Sequence, residues 1–359
     1  MKFIHAADIH LCLGMQKSLL PPEVAEKHRK QLFSTFGALI DEAAKRSVDA
    51  LFLSGDIFEN QYAKSSDVKY AAELMAKIPN VRIFISCGNH DFLSPGSFYG
   101  TVEFPENVTI FPPEMAMFEI EEQNACIYGF SWDRNRYDAL PFDFPDPNPA
   151  KINILCLHAD LKTNSDYLRI NPNTLAGVGF DYVALGHIHK PEFIRKNIAY
   201  SGSLEPLDFG EEGDHGFIYG EFDGKELNCE FVPFASHGFK TAELDISEIK
   251  SYTELCQKIY EVLPPSPNIM ARLTVKGSKN EDIDPGIIID EISKAYLFFQ
   301  FRDESVLDYD LLEIYRQNED NLIGRFTLAL MHEAREDGTA RRALYEGLKV
   351  LLENKGAKS

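Results

Sequence analysis

Small acidic and imidazole side chains recur directly after short apolar runs, and that coincidence constrains this 359-residue chain more than any other feature. Asp8-Ile9-His10 follows Lys2-Phe3-Ile4-His5-Ala6-Ala7, and Gly55-Asp56 follows Asp49-Ala50-Leu51-Phe52-Leu53-Ser54. Gly88-Asn89-His90-Asp91 comes just after Val81-Arg82-Ile83-Phe84-Ile85-Ser86. Each run is short and rich in branched or aromatic residues, as expected of a strand buried on both faces. Between the first two runs Leu32, Phe36, Leu39, Ile40 and Ala43 recur at helical spacing, and a second helix is expected near Ser65 to Lys77. The opening third therefore reads βαβαβ, which implies a largely parallel sheet and an α/β fold class. In such a sheet the loops after the carboxyl ends of the strands converge on one crevice, and ligands bind there.

Later runs repeat the pattern. Ile152 to Leu157 ends in His158, and Tyr182 to Leu185 ends in Gly186-His187-Ile188-His189. In Asp8-Ile9-His10 and His187-Ile188-His189 the polar residues are two apart, so extended backbone turns both to the same side. Further strands are expected at Val108 to Phe111, Ala125 to Phe130 and Gly216 to Phe231, the last interrupted by the turn signal Asp223-Gly224.

Asp8, His10, Asp56, Asn89, His158, His187 and His189 form a mixed set of hard and borderline donors. Such a set suits two divalent first-row ions, with Mn, Fe or Zn as the candidates, better than one octahedral magnesium. Two ions about 3.5 to 4 Å apart clamp the attacking and leaving oxygens of an in-line displacement at phosphorus. If Asp56 bridges them, the ions outweigh the charge of Asp8 and Asp56 and leave a positive site for a phosphate ester. His90 is left over as a proton or hydrogen-bond donor to the phosphate or leaving oxygen. His5, His28, His215, His237 and His332 fit none of the motifs and are read as structural histidines.

Charge narrows the partners. Thirty-six basic against 56 acidic residues give a net charge of −20, which repels nucleic acid and anionic lipid unless a local site reverses the field. No apolar run approaches the roughly 18 residues that span a bilayer, and the N-terminus lacks a leader-type apolar stretch, so no membrane association and a cytoplasmic location are expected. Six scattered cysteines without a CxxC pair are expected to stay reduced.

After Pro233 the pattern changes to a small βαβαβ unit ending near Phe301, followed from about 305 by helices. One of these carries Leu322, Phe326, Ala329 and Leu330 on a face, another Leu344, Leu348, Leu351 and Leu352. The expected division is 1–235, 236–304 and 305–359.

Lys2 to Leu11, Gly55-Asp56-Ile57-Phe58, Gly88 to Asp91 with Leu93 to Ser97, and Gly202 to Gly210 resemble the calcineurin-like metallophosphoesterase superfamily, in particular its SbcD-type DNA repair nuclease branch with the YhaO-like members. The resemblance implies a two-sheet sandwich flanked by helices, with residues 236–304 as a capping domain. It implies one metal held by Asp8, His10, Asp56 and His189, the other by Asp56, Asn89, His158 and His187. His90 would be the catalytic imidazole and Asp91 the group that orients it. The implied activity is metal-dependent DNA cleavage, exonucleolytic or endonucleolytic, in repair and recombination. Residues 305–359 would dock an SMC-like ABC ATPase of the SbcC/YhaN type, and a homodimer is a further implied assembly. The rival reading is a small-molecule phosphodiesterase or phosphatase using the same dinuclear site.

Overall fold

Alternation within the apolar runs decides which layer each strand face meets. A computed structural model describes residues 1–13, 20–137, 139–162, 167–279, 283–307, 309–335 and 337–356. Strands β1 (Lys2–Ala6), β2 (Ala50–Leu53), β3 (Arg82–Ile85) and β4 (Val108–Ile110) lie side by side and parallel. Ile4, Ala6, Leu51, Leu53, Ile83 and Ile85 face an apolar layer shared with α1 (Pro22–Lys45), α2 (Ser65–Met75) and the short α3 (Phe98–Thr101). Their neighbours Phe3, Ala50, Phe52 and Phe84 face the opposite way. The five residues expected on one face of the first helix are all buried.

The opposite layer is a second sheet, in the order β5-β6-β7-β8-β10-β9. Its strands are β5 (Ala116–Ile120), β6 (Ala125–Gly129), β7 (Ile152–His158), β8 (Tyr182–Gly186), β9 (Glu192–Arg195) and β10 (Ile198–Tyr200). Ile127, Ile154, Cys156, Tyr182 and Ala184 meet the phenylalanines of the first sheet. The rings of Phe52 and Phe84 stack with centroids 5.9 Å apart, and those of Phe84 and Phe111 at 6.0 Å. On the outer face Leu155, Leu157, Val183 and Leu185 are covered by Phe130, Trp132 and Leu175 of α4 (Pro172–Val178). The hairpin β11 (Gly216–Asp223) and β12 (Glu226–Pro233) returns to the first sheet, where β11 pairs antiparallel with β1. The architecture is thus the two-sheet sandwich with flanking helices. Sequence reading omits β10, a buried run of only three residues, and the edge strands β5 and β9, whose outward residues are polar or exposed and leave a weak apolar signal.

Contacts divide the chain into two compact units, Met1–Phe239 and Lys240–Ser359. After β13 (Gly238–Asp245), the second contains α5 (Tyr252–Val262), β14 (Ser266–Lys276), β15 (Ser278–Lys279), α6 (Ile289–Ser293), β16 (Tyr296–Asp303) and β17 (Val306–Leu307). It closes with α7 (Leu311–Gln317), α8 (Leu322–Leu330) and α9 (Gly338–Gly356). Strand β14 is central between β13 and β16. One apolar cluster lies on this sheet around Leu255, Ile259, Leu273 and Val275, and another joins the helices through Ile323, Leu344, Tyr345 and Leu348. Of the stripe expected on α8, Phe326 and Leu330 pack against this cluster, whereas Leu322 is 67% exposed and Ile323 and Thr327 are buried in its place. The Asn321 side chain caps α8 by accepting from the Ile323 and Gly324 amides, which sets where the helix starts, and packing against Leu344 and Leu348 turns Ile323 inward.

Candidate metal centre

Five strand ends supply the site. Asp8 and His10 follow β1, Asp56 follows β2, Asn89 and His90 lie beyond β3, His158 ends β7, and His187 and His189 follow β8. The two sheets present these ends to each other, and a bridge between Ala7 and Ser203 ties them together beside the site. Asp8, His10, Asp56 and His187 all have positive φ, at 51°, 47°, 51° and 102°. Such backbone is strained in residues other than glycine, so the chain leaves its extended path within one or two residues of the sheet. Glycines allow the close approach that follows. A Cβ on Gly88 would lie 2.3 Å from Asp56 Oδ1, and one on Gly55, itself at φ 91°, would lie 2.4 Å from His158 Nδ1.

All seven donors expected from the sequence are brought to one place. Asp56 stands in the middle: its Oδ2 is 3.2 Å from His158 Nε2 and 3.8 Å from His10 Nε2, while Oδ1 accepts from the His90 backbone amide at 2.8 Å. On one side Asp8 Oδ1 lies 3.9 Å from His189 Nε2, and the rings of His10 and His189 are 5.1 Å apart. On the other, Asn89 Oδ1 is 3.0 Å from His158 Nε2, and the His158 and His187 rings are 5.2 Å apart. The His187 amide donates to both oxygens of Asp8.

The donor set fits a divalent cation on its own chemistry. Both ring nitrogens of His10 are buried without a hydrogen-bond partner, a state that folded proteins rarely tolerate. His158 Nδ1 lies 2.9 Å from the Ser54 carbonyl oxygen, which can only accept, so Nδ1 carries a proton and Nε2 is the nitrogen turned toward Asp56 and Asn89, free to bind a metal when the ring is neutral. Donor atoms of Asp8, His10 and His189, and separately of Asp8, Asp56 and His158, lie within 4.8 Å of one another, a spacing compatible with a shared ion.

Charge is densely coupled here. Burial raises the Asp8 pKa, with His158 and His189 opposing. For Asp56 burial acts in the same sense but is outweighed by His158, His10 and His90, which hold the carboxyl below its ordinary range. Burial lowers the His158 pKa, yet Asp56 and Asp8 raise it to about 9. His187 is pushed down to about 4 by burial and by His158.

Three carboxylates complete the picture, two of them absent from the sequence reading. Asp91, expected to orient His90, instead accepts from the amides of Gly88, Asp56 and Ile57 and from Tyr99 Oη, and so ties the β2 and β3 loops together. The carboxylate on the His90 imidazole is Glu59, whose Oε2 accepts from Nδ1 at 2.9 Å. Glu211 does the same for His189, at 2.6 Å, and its other oxygen holds Ser203 and the Leu207 amide. Glu59 sits three residues beyond Asp56 in one loop, a spacing that is informative only with the loop conformation known; Glu211, in Gly210-Glu211-Glu212, carries no local signal. His5 is a satisfied core residue, bonded to Tyr182 and Leu185, whereas His215 reaches the site's edge through Ser203.

Comparison with known proteins agrees with this geometry. Residues 1–191 match the model of the calcineurin-like phosphoesterase family. The chain is 27% identical over 343 residues to the uncharacterized metallophosphoesterase YhaO of Bacillus subtilis, covering 90% of this chain and 83% of that protein. It is 27% identical to the DNA double-strand break repair protein Mre11 of Methanopyrus kandleri, over 65% of this chain and 56% of that protein. The protein of the same name from Methanosarcina acetivorans is 25% identical over 78% of this chain and 46% of its own length. The chain thus spans about half the length of these two Mre11 relatives. With its strand-end donors on a two-sheet sandwich and more than half its length matched, the chain belongs to the calcineurin-like phosphoesterase family.

Proposed function

We propose that the protein is a metal-dependent phosphodiesterase that cleaves DNA, as an exonuclease or endonuclease, and serves as the nuclease subunit of an SMC-like ATPase complex in repair. The observation that carries the phosphoesterase part is the convergence of seven donors from both sheets around a buried His10 whose ring nitrogens make no hydrogen bond. Likeness to proteins named for double-strand break repair supports DNA as substrate.

In this reading Asp8, His10, Asp56 and His189 hold one divalent ion and Asp56, Asn89, His158 and His187 the other, with Mn the metal. Bound there, the ions supply positive charge to a phosphodiester and acidify a water molecule. Asp56 shares its carboxylate between the two donor groups, and the His90 amide fixes its second oxygen. His90, its side chain 42% exposed, turns toward solvent and donates to the phosphate or leaving oxygen. Burial lowers its pKa, but Glu59 and Asp56 outweigh this and raise it, which favours the donating form. Residues 236–304 act as the cap that shapes access to nucleic acid, and residues 305–359 as the ATPase-docking region, where Leu312, Leu322 and Leu328 are exposed.

The test is hydrolysis of end-labelled single- and double-stranded DNA beside an aryl phosphodiester, across Mn, Mg, Zn and Fe. DNA cleavage that requires Mn or Fe is the expected result. Cleavage of the aryl ester with no action on DNA, with or without an ATPase partner, would replace the reading by a small-molecule phosphodiesterase.

A further inference from the structure

The segment between β10 and β11 reaches the metal centre through one carboxylate. Glu211 Oε1 is 2.6 Å from His189 Nδ1, while Oε2 accepts from the Leu207 amide at 2.9 Å and from Ser203 Oγ at 3.3 Å. A carboxylate only accepts, so His189 Nδ1 carries a proton, and Nε2 is the nitrogen left to face Asp8 and to bind metal when the ring is neutral. Behind Glu211 the directions are fixed as well. His215 Nδ1 lies 2.8 Å from Ser203 Oγ and 3.3 Å from the Ser203 carbonyl oxygen, which can only accept, so this nitrogen also bears a proton. His215 therefore donates to Ser203, and the Ser203 hydroxyl donates to Glu211. Both residues are buried. The Ser203 amide donates to the His189 carbonyl oxygen at 2.9 Å, and Ser203 bridges to Ala7 next to Asp8, so this support is anchored beside two metal donors. None of these bonds touches Asn89, His158 or His187.

We propose that Glu211 is a positioning residue for His189, backed by Ser203 and His215, and that it tightens one ion of the pair, the one assigned to Asp8, His10, Asp56 and His189. The inference rests on the reading of His189 as a metal ligand. A carboxylate is required because His189 Nδ1–H and the Leu207 N–H approach different oxygens, and an amide in its place would serve only one of them. His215, which fits no sequence motif, thereby acquires a part in the site through two hydrogen bonds.

The test uses the full-length protein and its Glu211→Leu, Glu211→Gln and Ser203→Ala variants, stripped of metal and titrated calorimetrically with Mn. Wild type should bind two ions. Glu211→Leu should weaken one of them on the order of 10- to 100-fold, as loss of a partner to a metal-bound imidazole does, and leave the other within error. Ser203→Ala removes a single hydrogen bond to Glu211 and should weaken the same ion by roughly 2- to 10-fold. Proton NMR with zinc as a diamagnetic probe identifies the ion. The His189 Nδ1–H resonance, assigned by its absence in His189→Asn, should be protected from exchange in wild type and in Ser203→Ala, and lost in Glu211→Leu. If Glu211→Leu does not fold, Glu211→Gln decides, with an expected weakening of the same ion by roughly 2- to 10-fold. Unchanged affinity, equal weakening of both ions, or a His189 Nδ1–H still protected in Glu211→Leu would each overturn the proposal while leaving His189 a ligand. A wild type that binds neither Mn nor zinc would instead defeat the metal reading, and the proposal with it.

Discussion

The two compact units bury different chemistry. Among the described residues, every buried aspartate, glutamate and histidine lies in Met1–Phe239, including Asp8, His10, Asp56, Asp91, His158 and Glu205. The unit from Lys240 onward buries only uncharged polar side chains, those of Thr274, Ser278, Asn318 and Thr327, beside its apolar clusters. Burying an ionisable group costs several kcal/mol unless it is paired or neutralised. A chain concentrates such groups where they are compensated, and in the first unit they cluster at the strand ends that face each other. Among the described residues the second unit shows no such concentration, and Leu312, Leu322 and Leu328 are exposed on its helices α7 and α8. One unit is built around charge that needs a partner, the other around shape.

That contrast can be broken by experiment. The largest effect is expected from Asp56→Asn, which should abolish phosphodiester turnover and lower bound metal per chain, measured by elemental analysis and an aryl phosphodiester assay. Wild-type metal content in this variant would remove Asp56 from the centre of the site. Next, His90→Asn should retain its metal yet lose on the order of 10²- to 10⁴-fold in rate. Metal lost with His90 would make it a ligand instead.

Smaller effects test the second unit. Leu344 is fully buried among Ile323, Tyr345 and Leu348, so Leu344→Ala should destabilise that unit by about 2 to 5 kcal/mol in urea unfolding, while aryl phosphodiester turnover stays within error. A parallel fall in turnover would show that the units do not separate chemistry from shape. The smallest change in stability, below about 0.5 kcal/mol, is expected for exposed Leu322→Ser. The same variant should weaken capture of a co-encoded SMC-like ATPase in a pull-down; unaltered capture would exclude this face of α8 from docking.

Much of the site was legible before any coordinates. Asp8, His10, Asp56, Asn89, His158, His187 and His189 each follow an apolar run, and parallel strands carry whatever follows them to one edge, so order along the chain becomes proximity in space. The βαβαβ opening and the buried face of α1 were legible for the same reason: apolar periodicity is a local property, written residue by residue.

Other features needed the third dimension. Nothing local distinguishes Glu59 or Glu211 from the many surface acids of a chain with 56 of them; each matters because a histidine from a different strand end lies within hydrogen-bond reach. Asp91 adjoins His90 in sequence, yet adjacent residues on a sharply turned loop point apart, and its carboxylate went to the amides of a neighbouring loop instead. On α8 the choice of Ile323 over Leu322 as the inward residue was set by the packing of α9, not by hydrophobicity, which the two residues share. The sequence by itself determined which strand ends carry donors, because that depends on local pattern. Tertiary structure alone decided which carboxylate holds which imidazole, because such pairs join segments that only folding brings together.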